Sequence, residues 1–190
     1  MLKEIKNKRE HYFVDDLNLF QGEYKRYHDN GQLYIHAFYQ NGNRHGEYQY
    51  YHDNGQLCEH SFCINGKRHG ECKYYHENGQ LFKHSFYQNG KLHGECKYYH
   101  NNDQLEIHAF YLTGKLHGEY KTYHDNGQLQ THTFYQNGKH HGEYKDYCRN
   151  GQLFEHTFYY QDIDLHVNPK DLTEKDKAYI MLSGRLPPRD

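Results

Sequence analysis

Short runs of alternating aromatic and polar residues recur along most of this chain, separated by Asn-Gly pairs. Glu23–His28 and Gln32–Gln40 are the first two runs. In the first, Glu23, Lys25 and Tyr27 fall on one face of an extended chain, with Tyr24 and His28 on the other. In the second, His36 and Phe38 share a face opposite Leu33 and Tyr39. Runs this short, rich in Tyr and Phe, predict strands, because a stable helix needs more length and a 3.6-residue period. Asn-Gly between them predicts hairpins, since both residues tolerate positive φ. Each turn fits two or three residues, and a slip of one residue would exchange the faces.

The pattern repeats every 24 residues. Gly22, Gly46, Gly70, Gly94, Gly118 and Gly142 form one series, and Gly42, Gly66, Gly90, Gly114 and Gly138 another. A further series is Gly31, Gly55, Gly79, Gly127 and Gly151, with Asp103 in the gap. Such glycines read as turn or spacing residues. Six units of the form GEYKxYHDNGQLxxHxFYQNGKxH fill 22–165, each predicted to be two antiparallel strands and two turns. The expected fold is all-β: an elongated single-layer antiparallel β-meander of six hairpin repeats, about twelve strands and about 55 Å at one strand per ~4.8 Å. Pro169, Pro187 and Pro188 are the three prolines, leaving the repeats free of a residue that removes ladder donors.

Three regions follow. Residues 1–21 read as an N-terminal cap with a partial strand at His11–Val14 and a turn at Asp15–Asn18. Residues 22–165 are the repeats, and 166–190 a C-terminal helix and tail. Thr173 and Asp176 form a capping-box signature and Gly184 suits a C-cap, predicting a helix over roughly 169–183 that covers the last strand or part of one face.

Composition changes the picture in one respect. Leu, Ile, Val and Phe make up about 18% of the chain, below the ~20% associated with disorder, yet the net charge is only −2. Tyr (22) and His (19) must therefore supply much of the buried surface. The charge balance argues against nucleic acid as a partner. No run reaches the ~18 apolar residues of a membrane helix. The start, MLKEIKNKREHYFV, lacks an apolar signal core. Five irregularly spaced cysteines argue against a disulfide framework, so a cytoplasmic location is expected.

The segment Gly42-Asn-Arg-His45-Gly46, followed by Asn54-Gly55, resembles the MORN repeat. The variant form of bacterial antitoxin-like proteins and of giant DNA viruses, with phrases like YYxNGQL and NGKxxGE, is the specific match; a viral origin would place the chain in a host cytoplasm. The resemblance covers 22–165 and implies an elongated β-meander used for binding or scaffolding, with membrane association, phosphoinositide binding or antitoxin-like inhibition as alternatives. The first-type MORN unit carries another Gly two residues after its HG pair. Tyr48, Cys72, Cys96, Tyr120 and Tyr144 stand there, which weakens any transfer of lipid roles.

The candidate chemistry is repetitive. Histidines form three columns, starting at His28, His36 and His45, and same-column members sit two strands apart, roughly 9.6 Å, too far to converge on a metal at ~2.0–2.3 Å. They read as stacked, structural residues. The Glu column (Glu23 to Glu143) and the Lys column (Lys25 to Lys145) share a face and read as solvated cross-strand pairs. An active site is a unique constellation, and none appears: no catalytic residue, metal or cofactor is expected. Partner specificity is expected where units differ: Tyr34-Ile35, Cys58-Glu59, Phe82-Lys83, Glu106-Ile107, Gln130-Thr131 and Phe154-Glu155. The expected partner is a protein. Membrane association draws on Lys67, Lys91, Lys115 and Lys139 but finds no support in the overall charge.

Overall fold

The computed structural model describes residues 1–167 and 169–188. Among the described residues, fifteen antiparallel strands pair in sequence order in one open sheet. The six repeats supply twelve: β3 (Phe20–Tyr27), β4 (Leu33–Gln40), β5 (Asn43–Tyr51), β6 (Leu57–Ile64), β7 (Lys67–Tyr75), β8 (Leu81–Gln88), β9 (Lys91–Tyr99), β10 (Leu105–Leu112), β11 (Lys115–Tyr123), β12 (Leu129–Gln136), β13 (Lys139–Tyr147) and β14 (Leu153–Tyr160). β1 (Lys3–Lys6) and β2 (Glu10–Val14) precede them, and β15 (Ile163–Asp164) follows. The chain divides into two compact units, Met1–His93 and Gly94–Asp190.

The two turns of a repeat differ, so the ambiguity of two or three residues resolves both ways. Gln40 pairs with Asn43 across Asn41 and Gly42, whose φ angles are 50° and 76°. Two consecutive positive φ values make this a type I′ hairpin, whose twist matches that of the strands. At the other end, His28 N–H donates to Gln32 O (2.8 Å) and Gly31 N–H to His28 O (3.0 Å), leaving a three-residue loop with Gly31 at φ 86°. Thr113 takes the Asn position of one tight turn at φ 52°, and Asp103 the Gly position of one wide turn at φ 63°.

The Gly22 series is not at turns. These glycines lie inside the strands, which in β5, β7, β9, β11 and β13 run nine residues. Against β4, Arg44 pairs with Tyr39 and Tyr48 with Ala37, so β5 carries extra residues at His45–Glu47 and bulges there. Gly46 has φ 113°, and a Cβ on it would stand 3.2 Å from the Cβ of Phe38. The glycine supplies both the bulge conformation and room for the ring opposite.

The opposite face of the sheet holds the core. A column of small residues, Ala37, Ser61, Ser85, Ala109, Thr133 and Thr157, is buried throughout. The register places Ala37 between Tyr24 and Tyr48 and Thr133 between Tyr120 and Tyr144, while Ser61 and Ser85 face Cys72 and Ala109 faces Cys96. The small side chains leave room for rings to close over them. Tyr24 meets Tyr39 at 5.6 Å and Tyr120 meets Tyr135 at 5.4 Å, near edge-to-face. Each such pair contributes about 0.5–1.5 kcal/mol beyond burial. Aromatic rings thus do the packing that aliphatic side chains do in most cores.

A short 3₁₀ turn (Pro169–Asp171) leads to helix α1 (Glu174–Ser183). Its capping box is complete: Asp176 N–H donates to Thr173 Oγ1 (3.1 Å) and Thr173 N–H to Asp176 Oδ2 (2.7 Å). Gly184 ends the helix at φ 68°, and any Cβ there would fall 2.4 Å from the Tyr160 ring.

Candidate functional site

One face of the sheet repeats a four-residue group. In the first repeat, Lys25 Nζ meets Glu23 Oε1 at 2.7 Å along the strand, and His36 Nε2 meets the same oxygen at 2.8 Å from the next strand. The group recurs at Glu71 (Lys73 2.9 Å, His84 2.8 Å), Glu95 (Lys97 2.8 Å, His108 2.8 Å) and Glu119 (Lys121 2.7 Å, His132 2.9 Å). The expected Glu–Lys pairs across strands are therefore pairs along one strand. The cross-strand partner of Glu is His, because the register sets Lys25 opposite His36. The fourth member is Phe two residues on: His36 and Phe38 lie 5.3 Å apart, and His108 and Phe110 5.0 Å. The Lys hydrogen bond, aided by His, holds Glu23, Glu71, Glu95 and Glu119 below the usual carboxylate range. These carboxylates are ionised hydrogen-bond acceptors anchored by cations, an arrangement suited to structure and charge display.

The first histidine column and the Asn column stitch repeats together along the wide-turn edge. His28 Nε2 bonds Tyr51 O (3.0 Å), His52 bonds Tyr75 O (3.1 Å), and His124 bonds Tyr147 O (2.9 Å). Asn30 Nδ2 donates to Asp53 O (2.8 Å) while its Oδ1 accepts from Gln32 N–H (2.9 Å). Asn54 and Asn102 repeat the step to Glu77 O and Asp125 O, each 2.8 Å. In the third column, the Nδ1 atoms of His45, His69, His93, His117 and His141 are buried without a protein partner. Among the described residues no group of three or more His, Cys, Asp or Glu is arranged to hold a metal. None of the five cysteines is in a disulfide.

The twelve variable positions follow the wide turns. Register shifts at the start of β4, β6, β10, β12 and β14 give each strand an extra residue there. Tyr34 packs on His28 at 4.5 Å and Tyr50 at 5.0 Å, beneath Arg26. Ile35 packs against the Ala37 core, and Thr131 bonds Asp146 at 3.0 Å. Glu59 is buried, with its carboxylate held by Arg68 at 2.8 and 3.0 Å. Cys58, Lys83, Glu106 and Ile107 are half-buried, whereas Phe82, Gln130, Phe154 and Glu155 are exposed, Phe154 at 73%. The positions are dispersed along the repeats, one pair per unit, and do not converge.

Helix α1 is the element whose seat the sequence left open. Lys177 Nζ meets Glu143 Oε1 at 2.7 Å, so the last Glu of the column binds a helix lysine besides Lys145. Burial alone would raise this carboxyl; hydrogen bonds from Lys145 and Lys177 outweigh it and hold the group down at about 2. Ala178 and Met181 line a hollow of about 510 Å³ with Phe134, His141 and Phe158. Phe158 is 2% exposed there, against 37% for Phe134 one repeat earlier.

The profile of the MORN repeat variant matches residues 20–41, 44–62, 68–89, 92–113 and 116–139. The chain belongs to the MORN repeat variant family. MORN repeats are in general modules that engage proteins or membranes, and they are typically not enzymes. The matched segments cover five of the six repeats; the last MORN unit, which seats α1, lies beyond them. No curated protein sequence matches this MORN chain significantly. Among solved structures it is similar to alternansucrase in complex with isomaltononaose, at 12% identity and a TM-score of 0.21. The match covers 89% of this chain and 16% of that one, and at that score it carries no argument. Among the described residues no helix is long and apolar enough to cross a membrane.

Proposed function

We propose that this MORN chain is a non-enzymatic scaffold that binds a protein partner through the variable residues beside its wide turns. One observation carries the reading. The Glu–Lys–His groups, the Asn ladder and the small-residue column repeat nearly unchanged, while the pairs from Tyr34-Ile35 to Phe154-Glu155 change in every unit. In repeat proteins such positions distinguish one binder from another while the scaffold supplies stability. Phe82 and Phe154 are the large apolar side chains among them that reach the surface, and exposed aromatics are typical interface anchors. The side chains that pack inward, Ile35 and Glu59, shape that surface from below.

A photo-crosslinking residue placed at Phe82 or Phe154, expressed in the native host, tests this. The expected result is one dominant crosslinked protein at both positions, lost when the photo-residue is moved to Lys115 on the opposite strand end. Labelling no stronger at Phe82 and Phe154 than at Lys115 would overturn it. A membrane reading draws on Lys67, Lys91, Lys115 and Lys139, all exposed at the first position of their strands. Flotation with phosphatidylserine vesicles at low salt is its direct measurement, and co-flotation abolished by charge reversal at these lysines would replace the protein-partner reading.

A further inference from the structure

We propose that the hollow formed by Phe62, Ile64, His69, Gly70 and Glu71 seats one amphipathic helix of a partner protein, gripped as α1 is gripped on the last repeat. This goes beyond the variable-position reading, because it concerns the other face of the sheet and residues of the repeated scaffold.

The chain itself shows how a helix sits on this face. Ala178 and Met181 line one hollow with Phe134 and Phe158, of which Phe158 is 2% exposed, and the neighbouring Lys177 reaches Glu143 at 2.7 Å. Glu143 accepts this second cation although Lys145 of its own strand already bonds it. Three repeats earlier, Phe62, His69, Gly70 and Glu71 occupy the positions of Phe134, His141, Gly142 and Glu143. They line a hollow of about 340 Å³ within the Met1–His93 unit, together with Glu47 and His60. The described residues of the Met1–His93 unit include no helix, and Phe62 is 42% exposed and Ile64 36%, as open as the counterpart Phe134 at 37%.

Two substitutions make this seat a better one than its neighbours. Ile64 stands where Gln136 stands in the α1 seat, which extends the apolar floor. Gln49 replaces the lysine found in the other repeats, so Glu47 meets His60, at 3.5 Å, with no strand lysine beside it, and its side chain stays 54% exposed. The apolar strip is therefore flanked by carboxylates on both sides, Glu47 and Glu71. That charge selects a helix with an apolar stripe bordered by Lys or Arg, as Lys177, Ala178 and Met181 present, and it repels an anionic lipid surface.

The full chain, labelled for NMR at amides and at the Ile64 methyl, is titrated with a hydrocarbon-stapled peptide of residues 172–185. The expected result is a saturable shift of the Ile64 methyl and of the Phe62–Glu71 amides. Binding should weaken about tenfold or more with Phe62→Ser in the chain, a contact on the order of 1.4 kcal/mol. A peptide carrying Lys177→Glu should lose binding similarly, and a Glu71→Lys chain should recover much of it. The peptide variant leaves the protein untouched, so the outcome does not depend on whether a substituted chain folds. No saturable shift at Ile64, shifts confined to the β12–β14 seat, or equal binding of the Lys177→Glu peptide would each overturn the proposal. So would an Ile64 shift with phosphatidylserine vesicles in place of the peptide. A concentration-dependent dimer in sedimentation, abolished by Phe62→Ser, would put a second copy in the seat and likewise overturn it. None of these readouts involves Phe82 or Phe154, so failure here leaves the scaffold reading to its own crosslinking test.

Discussion

Glu59 and Arg68 meet through two parallel hydrogen bonds, Nε to Oε1 at 2.8 Å and Nη2 to Oε2 at 3.0 Å. Ser61 donates a third to the same carboxylate at 2.9 Å, and Cys72 Sγ lies 3.9 Å away. The glutamate is 7% exposed. A single-layer sheet thus buries the carboxylate of a bidentate ion pair. Arg68→Met strands the carboxylate, and fully buried cases of this kind cost ~3–5 kcal/mol. Arg68 keeps 39% side-chain exposure, so about 2–3 kcal/mol is expected here. Urea unfolding measures it, and the double variant Glu59→Gln with Arg68→Met should lose less than the two single losses added. Strict additivity would show that the pair is not coupled.

Gly46 and Gly22 hold the same column but different surroundings. Both have positive φ, 113° and 71°, yet a Cβ at Gly46 would press on Phe38 at 3.2 Å while Gly22 has open space. Gly46→Ala should cost about 1–3 kcal/mol, with the upper part of that range reflecting the displaced ring. Gly22→Ala should cost less. Equal losses in thermal unfolding would show that the ring adjusts freely and that backbone conformation alone fixes the glycine.

Asn54 bridges two repeats by donating to Glu77 O and accepting from Gln56 N–H. Asn54→Ala removes both bonds at an exposed edge and should cost about 1 kcal/mol. Hydrogen exchange should accelerate at the Asn54 and Glu77 turns together. Acceleration confined to the substituted turn would mean that the ladder does not couple neighbours.

Acid should release the α1 end first. Burial lowers the His141 and His156 pKa values from 6.5, with the charge of Lys145 adding to the effect at His156. A histidine kept neutral in the folded state contributes stability above the unfolded pKa, and that contribution is lost as pH falls from about 6.5 through the lowered folded value. Glu143, held at about 2 against an ordinary 4.5, contributes stability that is lost as pH falls from 4.5 towards 2. Both signs point the same way. NMR titration should show His141 and His156 protonating below 6.5, with loss of amide protection in α1 ahead of β3–β8. Titration of either histidine at or above 6.5 would contradict the packing described here.

Much of the architecture was legible in the chain because it rests on local rules applied six times. Asn-Gly dictates a hairpin wherever it falls, short aromatic runs dictate strands, and a period of 24 turns one hairpin into twelve strands. Thr173, Asp176 and Gly184 marked the helix ends for the same reason, since caps are local chemistry.

Other features were settled only in three dimensions. The Gly46 column resembled a turn signal, and only the register against β4 revealed a bulge inside a longer strand. The small column from Ala37 to Thr157 has no meaning within its own strands, because its role depends on the residues that neighbouring strands set beside it. Glu59 is distinctive in sequence as a variable residue, yet its carboxylate turns to Arg68 because the hairpin brings β7 against β6. Helix α1 and its place over the last strand or part of one face are expected from the sequence, but the residues that hold it there are not. Lys177 and Glu143 lie 34 residues apart, and nothing in either segment specifies the other. Sequence determined which elements form, because backbone preferences act within a few residues. Tertiary structure decided which faces meet and which remain open, because burial and charge pairing depend on neighbours that only the folded register supplies.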